Sequence, residues 1–288
     1  MDRNELDWAA GVIEGEGCIQ ITGSGGGLGL RVTMVDGDVV AALRDLFGGT
    51  VYALPARGRW SASNRWSVYG AVAANTLRQL LPSFRGTRWR MRGEAALDFY
   101  EGQNGVPWRQ RGARTRRYCD VLSALAHVGS VTEEISKGLD IAPRPASEAW
   151  LAGLLEAEGT LWISGGLRVR INMVDADVIR TCAEMFGGAI ARLPGRGRRR
   201  VQACWTACGQ TAAAVLRRVW PHLRGLRWRL RTETALEYFD GQKALPLKER
   251  RARARRYREI LSALAHIGPA VEEIAKSIPE RGAAETGA

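Results

Sequence analysis

Two stretches decide the fold: Ala9-Ala10-Gly11-Val12-Ile13-Glu14-Gly15-Glu16-Gly17 and Leu151-Ala152-Gly153-Leu154-Leu155-Glu156-Ala157-Glu158-Gly159. Each reads as an apolar helix rich in small residues that closes on an acid followed by Gly. The chain therefore carries two matching carboxylates, Glu16 and Glu158. A duplicated acid implies duplicated chemistry.

Outward from these segments the halves keep step. Met34-Val35-Asp36-Gly37-Asp38-Val39-Val40 recurs as Met173-Val174-Asp175-Ala176-Asp177-Val178-Ile179, and Phe47-Gly48-Gly49 recurs as Phe186-Gly187-Gly188. Leu122-Ser123-Ala124-Leu125-Ala126-His127 returns unchanged at 261–266. A three-residue difference falls at the glycine cluster 23–27, where the six residues 22–27 are shortened to Ser164-Gly165-Gly166 and a hairpin turn absorbs a length change. Two copies with a long period make a fused pseudo-dimer, not a solenoid. The halves are read as 1–139 and 148–278, joined by a linker at 140–147 around Pro143 and Pro145, with a disordered tail over 279–288.

Composition bounds the class. At 288 residues and 45% hydrophobic content the chain can bury real cores, and 42 Lys and Arg against 30 Asp and Glu give a net charge of +12. That surplus is the electrostatic footprint of a nucleic-acid binder. An anionic membrane would also suit the charge, but no apolar run is long enough to span a bilayer and there is no lipidation signal. Only Lys137, Lys243, Lys248 and Lys276 are lysines. Arg forks onto phosphates and bases where Lys offers a point charge, although GC-rich coding produces the same bias with no functional meaning. Five cysteines without a framework and an N-terminus unlike a signal peptide predict a reduced, intracellular, cytoplasmic protein. Cys204 and Cys208 lack the second pair or the nearby His that a zinc site needs.

Periodicity and punctuation predict the elements of the first half. A helix over 5–14 leads into strands over 18–22 and 30–34, a helix over 38–46 that stops at Gly48-Gly49, and strands over 50–54 and 65–69. Helices follow over 71–81, 88–103 and 113–127. The second half repeats the order, giving an α+β fold of two pseudo-symmetric αββαββα halves with antiparallel sheets.

The paired Glu-x-Glu-Gly helices, each followed at once by a strand hairpin, resemble the LAGLIDADG homing endonucleases in the form where two motifs share one chain. The resemblance covers most of both halves. It implies a DNA-binding saddle built from the two sheets, a monomer acting as a pseudo-dimer, and double-stranded DNA as partner. It further implies that the last acid of each motif, Glu16 and Glu158, holds Mg²⁺ or another divalent cation, helped by the backbone carbonyls of Gly15 and Ala157.

The motif also has its own physical logic. Gly11 and Gly15, with Gly153 and Ala157, set small residues at i and i+4, so two helices can approach closely along one stripe. Glu16 and Glu158 then emerge together at one end of the pair. Carboxylates held close repel and raise a pKa unless a cation intervenes. Mg²⁺ takes one or two carboxylates, waters and phosphate oxygens, and activates water for in-line attack on a phosphodiester. One acid per half implies one scissile phosphate per half, hence a double-strand cut. The plainer alternative is a pair of solvated helix-end charges, but an acid opposing the dipole at a helix C-terminus twice over asks for a reason. Glu14 and Glu156 point elsewhere and read as structural.

Recognition is expected from alternate polar residues on strands lying in a major groove. The candidates are Gln20, Thr22, Arg31 and Thr33 in the first half, and Trp162, Ser164, Arg168, Arg170 and Asn172 in the second. Gln20 against Trp162 and Thr33 against Asn172 imply an asymmetric target. Arg57, Arg59 and Arg65, with Arg192, Arg196, Arg198, Arg199 and Arg200, cluster around the second hairpins and are read as DNA contacts rather than as a solvated basic loop. The runs 109–117 and 248–258 have the composition of a basic helix face suited to sequence-blind phosphate contact.

Two departures from the family pattern stand out. The polar residue common at the end of the second strand is replaced by Met34 and Met173, and no Lys occurs where one usually approaches the scissile phosphate. Arg88, Arg90, Arg227 and Arg229 fall near that place and are the candidate catalytic cations, although Arg is a poor proton shuttle. Trp89 and Trp228 are expected in the core. His127 and His266 repeat on helices whose apolar spacing suggests burial, which favours a structural role. The functional expectation is a site-specific DNA endonuclease of the kind that serves intron homing; the alternative is a non-cleaving regulator or an RNA maturase on the same fold.

Overall fold

The computed structural model describes residues 1–22, 27–58, 61–103, 105–137, 144–195, 200–242 and 245–266, without the side chains of 22, 108 and 135–137. The first half runs α1 (Arg3–Glu16), β1 (Gly17–Thr22), β2 (Gly27–Met34), α2 (Gly37–Phe47), β3 (Thr50–Leu54), β4 (Ser63–Tyr69), α3 (Gly70–Leu80), α4 (Thr87–Glu101), α5 (Trp108–Ala124) and a short α6 (Val131–Lys137). The second runs α7 (Glu148–Glu158), β5 (Gly159–Ile163), β6 (Leu167–Met173), α8 (Ala176–Phe186), β7 (Ala189–Leu193), β8 (Gln202–Cys208), α9 (Gly209–Val219), α10 (Leu226–Asp240) and α11 (Leu247–Ala265). This is the expected αββαββα order with helical extensions.

Local chemistry sets the boundaries. α1 starts two residues earlier than periodicity predicts because Asp2 and Glu5 form a reciprocal capping box, Asp2 Oδ1 accepting from Glu5 N at 2.8 Å and Glu5 Oε2 from Asp2 N at 2.9 Å. Ser147 caps α7 through Trp150 N at 3.2 Å. α2 and α8 stop at Gly48 and Gly187, both at φ +71°, and the freed carbonyls accept from Trp66 Nε1 at 2.8 Å and Trp205 Nε1 at 2.7 Å. α5 begins at Trp108, five residues before the expected start, because Pro107 precedes it and has no N–H to satisfy.

Each half contributes one antiparallel four-stranded sheet, ordered β1-β2-β4-β3 and β5-β6-β8-β7. Along β2, Leu28, Leu30, Val32 and Met34 are buried while Arg31 and Thr33 face outward; β6 alternates likewise, with Val169, Ile171 and Met173 inside and Arg168, Arg170 and Asn172 outside. The helices cover the inner faces, and Trp66, Trp89, Trp205 and Trp228 lie in that core as expected for the last of each pair.

The halves meet along α1 and α7. A Cβ on Gly11 would collide with the Trp150 carbonyl oxygen and lie 2.7 Å from Leu154 N, while one on Gly153 would collide with the Trp8 carbonyl oxygen and lie 3.0 Å from Val12 N. Backbone therefore touches backbone on both sides. The connection also docks on the second half: Val131 N donates to Val174 O at 2.9 Å, and Ala176 N to Gly129 O at 3.0 Å.

Candidate active site and nucleic-acid interface

Both acids emerge where α1 and α7 end. A Cβ on Gly15 would collide with the Ala157 Cβ and stand 3.0 Å from the Glu158 Cγ, so the two helix ends are in contact at the acids. Glu16 is exposed and Glu158 half-buried. No hydrogen bond or ion pair from a described residue reaches either carboxylate. Partial desolvation at the paired helix ends raises both; for Glu158, burial together with the neighbouring Glu16 and Asp175 charges, opposed by Arg88, brings it to about 7. Among the described residues no three His, Cys, Asp or Glu side chains form a metal cage. Two carboxylates side by side, with no ion pair from a described residue, would fit a hard divalent cation that takes its remaining ligands from water and phosphate.

Glu14 and Glu156 do different work, as their place on the helices suggested. Trp150 Nε1 donates to Glu14 Oε2 at 2.5 Å, and Trp8 Nε1 to Glu156 Oε2 at 2.6 Å, so each half supplies the donor for the other. The second oxygen of Glu14 accepts from Arg85 N at 2.9 Å and Gly86 N at 2.5 Å; that of Glu156 accepts from Arg224 N at 2.8 Å and Gly225 N at 2.5 Å. Both acids are wholly buried, and burial lifts Glu14 to about 8 and Glu156 to about 7 against the pull of these donors.

The candidate catalytic arginines are redistributed. Arg88 Nη2 pairs with Asp175 at 2.6 Å and Arg227 Nη2 with Asp36 at 2.5 Å, each crossing to the other half. Their carboxylate partners are almost fully buried, so these guanidinium groups lock the interface instead of standing free for a phosphate. Asp177 Oδ2 accepts from Thr87 N at 2.6 Å and Asp38 Oδ2 from Leu226 N at 2.5 Å, tying the N-termini of α4 and α10 to the opposite half. Arg90 and Arg229 sit two residues on, about 200° around the helix. Arg90 Nη2 donates to Thr87 Oγ1 at 3.3 Å, and Arg229 lies over the Trp220 ring at 5.5 Å. Sequence reading passed over Arg92 and Arg231, one turn beyond the locking arginines: Arg92 Nη2 donates to Ile19 O at 3.3 Å and Arg231 Nη2 to Leu161 O at 2.8 Å. Burial lowers Arg231 to about 10.

On the first outer sheet face, register sets Gln20 opposite Gly29, and Thr33 opposite Arg65, with Tyr52 beyond Arg65. Arg65 Nε donates to Thr33 Oγ1 at 3.0 Å and its Nη1 to Tyr52 Oη at 3.3 Å. On the second face, Trp162 lies opposite Arg168 and Asn172 opposite Cys204. Arg170 stacks on Trp162 at 4.7 Å, Arg168 Nε donates to Ser164 O at 3.2 Å, and Asn172 Oδ1 has no hydrogen-bond partner among the described residues. Arg57 is exposed in the loop after β3. Arg192 pairs in register with Ala203, which pairs with Met173, so it belongs to the opposite sheet face from Arg170. Arg200 meets His127 Nδ1 at 3.2 Å. His127 and His266 are exposed, correcting the expectation of burial: each lies just past the end of its helix, α5 or α11, beyond the last apolar contacts of Leu122 and Leu261. Arg59, Arg196, Arg198, Arg199 and the side chain of Thr22 lie outside the described residues, as do 138–143, which include the first part of the expected linker over 140–147, and the C-terminal segment from 267 onward, which includes the expected tail. No described helix is long and apolar enough to cross a membrane.

No family model and no curated protein matches the chain. Solved structures do. The LAGLIDADG meganuclease I-AabMI bound to uncleaved DNA is similar with a TM-score of 0.59 and 14% identity, over 88% of this chain and 98% of that one. The LAGLIDADG homing endonuclease I-GzeII in complex with its DNA target gives a TM-score of 0.59 and 11% identity, over 87% and 97%. I-SmaMI, bound to an uncleaved DNA target in the presence of calcium ions, gives 0.54 and 16%, over 87% and 97%. With two αββαββα halves meeting at their motif helices, the chain has the fold of the single-chain, two-domain LAGLIDADG homing endonucleases.

Proposed function

We propose that this chain is a site-specific DNA endonuclease that makes a metal-dependent double-strand cut in a long asymmetric duplex. The observation that carries the reading is the pair Glu16 and Glu158, brought together where the two motif helices touch, each directly before the first strand of its sheet, with no ion pair or hydrogen bond to either carboxylate among the described residues. A divalent cation, Mg²⁺ by the hardness of the donors, would be held by these carboxylates with the Gly15 and Ala157 carbonyls, and would supply an activated water and charge neutralisation at phosphate. The protein's own part is to hold both carboxylates in one place and to bind duplex across the two sheets. Arg31 with Arg65, and Arg168 with Arg170, offer guanidinium groups suited to guanine edges and phosphates. A non-cleaving regulator or maturase on this fold would have no use for two unneutralised acids at the centre of the interface.

The test is incubation with a library of duplex DNA with and without Mg²⁺, comparing wild type with Glu16→Gln and Glu158→Gln. Metal-dependent cutting that falls by about 10³-fold or more in either variant is expected, because each loses a charged ligand worth several kcal/mol at phosphate. Sequence-specific binding with no cutting under any divalent metal would remove the nuclease reading.

A further inference from the structure

The charge of this molecule is concentrated outside the strands and the motif. α5 carries five arginines against one aspartate and α11 seven cations against two glutamates, so these two helices account for +9 of the chain's +12. Two flanks of these helices carry different arginines. On one flank Arg114 stacks over Tyr118 at 4.8 Å and donates to Asp98 O at 3.2 Å, and Arg253 stacks over Tyr257 at 4.6 Å and donates to Glu237 O at 3.0 Å; these groups fasten the helices to α4 and α10.

The other flank lies against an edge strand. Arg258 Nε donates to Ile163 O of β5 at 3.1 Å, and the equivalent contact in the first half is Cys119 Sγ to Ile21 O of β1 at 3.8 Å. Counting back along α11 at i, i+3, i+7 and i+10, Lys248, Arg251, Arg255 and Arg258 form one stripe. The matching stripe on α5 is Arg109, Gly112, Arg116 and Cys119. Lys248, Arg251, Arg255, Arg109 and Arg116 are exposed, and no described residue pairs with them.

Both stripes anchor at the strand end remote from the acids. β5 starts directly after Glu158 and β1 directly after Glu16, so Ile163 and Ile21 lie about 16 Å along the strand from each acid. We infer that α5 and α11 are two unequal phosphate clamps that grip the duplex backbone at the outer ends of the target, with the α11 stripe supplying three free cations and the α5 stripe two. This rests on the proposed duplex substrate and adds where sequence-blind affinity resides. Duplex is favoured over other polyanions because each stripe is fastened to the edge of a sheet whose outer face is itself lined with Arg31 or with Arg168 and Arg170.

The test is binding of a labelled duplex of arbitrary sequence in metal-free buffer across a salt series. Wild type is compared with Lys248→Ala/Arg251→Ala/Arg255→Ala and with Arg109→Ala/Arg116→Ala. Each lost phosphate contact lowers the slope of log affinity against log salt by about 0.9, so the α11 variant should lose about 2.7 and the α5 variant about 1.8. Arg251→Lys/Arg255→Lys, which keeps the charge, should retain the wild-type slope and shows that a change in the alanine variants is not misfolding. Unchanged slopes, or a loss seen only with single-stranded RNA or with vesicles of anionic lipid, would overturn the clamps. Cutting that depends on Glu16 with unchanged slopes leaves the nuclease and removes the clamps; altered slopes with no cutting under any divalent metal do the reverse.

Discussion

At the scale of single residues, the two acids of each motif helix have been separated into two jobs by where their oxygens end up. Among the described residues Glu16 and Glu158 meet no donor, whereas Glu14 and Glu156 are each enclosed by an indole from the other half and two backbone N–H groups. The first pair was legible because a C-terminal acid opposing the helix dipole is anomalous on its own. The partners of the second pair were not, because Trp8 and Glu156 stand 148 residues apart and no local pattern links an indole to a carboxylate. Their titration has a measurable consequence. Between the ordinary carboxylate value of 4.5 and about 8, folded Glu14 holds a proton that the unfolded chain has lost, so this residue makes the protein less stable as pH rises through that window and adds nothing further above it. Glu14→Gln removes the titration while losing an acceptor. Urea unfolding between pH 5 and pH 8 should find the variant less stable at pH 5 and its deficit shrinking with pH, by up to about 1.4 kcal/mol per unit. A constant deficit would mean that Glu14 stays ionised when folded.

At the scale of elements, α1 and α7 are held by shape before they are held by charge. Adding a methyl group at Gly11 or Gly153 drives a Cβ into a carbonyl oxygen of the facing helix, and neither helix can retreat without pulling Glu14 or Glu156 from its indole. Gly11→Ala and Gly153→Ala should each cost about 3 kcal/mol in denaturant titration, at the upper end for overpacking. A change below about 0.5 kcal/mol would show that the pair is looser than its geometry. The small-residue stripe was readable from sequence. The pairing of the arginines one helix further on was not: Arg88 and Arg227 occur where a phosphate contact is expected, and each forms an ion pair with an acid of the opposite half, Asp175 or Asp36. A charge in a motif-rich segment identifies its neighbours only when the opposite half is in view.

At the scale of the whole molecule, the internal repeat made the architecture readable, since the order of elements from α1 to α5 recurs from α7 to α11 and the sheet order is the same twice. The faces are not. Arg65 and Tyr52 in the first sheet correspond by position to Cys204 and Ala191 in the second, so one face carries a hydrogen-bonded Arg and Tyr where the other is small and smooth. Selection of cut sites from a randomised duplex should therefore return two half-sites unrelated by two-fold symmetry; a palindromic consensus would contradict the proposed reading of these faces. The reciprocal locks carry a further consequence, for inheritance. Arg227 and Asp36 are 191 positions apart yet form one pair, mirrored by Arg88 and Asp175. A codon change in one half at these positions leaves an unmatched charge in the other, while changes along the outer strand faces are felt within that half, as by Thr33 and Tyr52 around Arg65, and by what binds there. Drift in a gene for this chain is thus partitioned: coupled across halves at the seam, and free, half by half, on the surface that would choose a target.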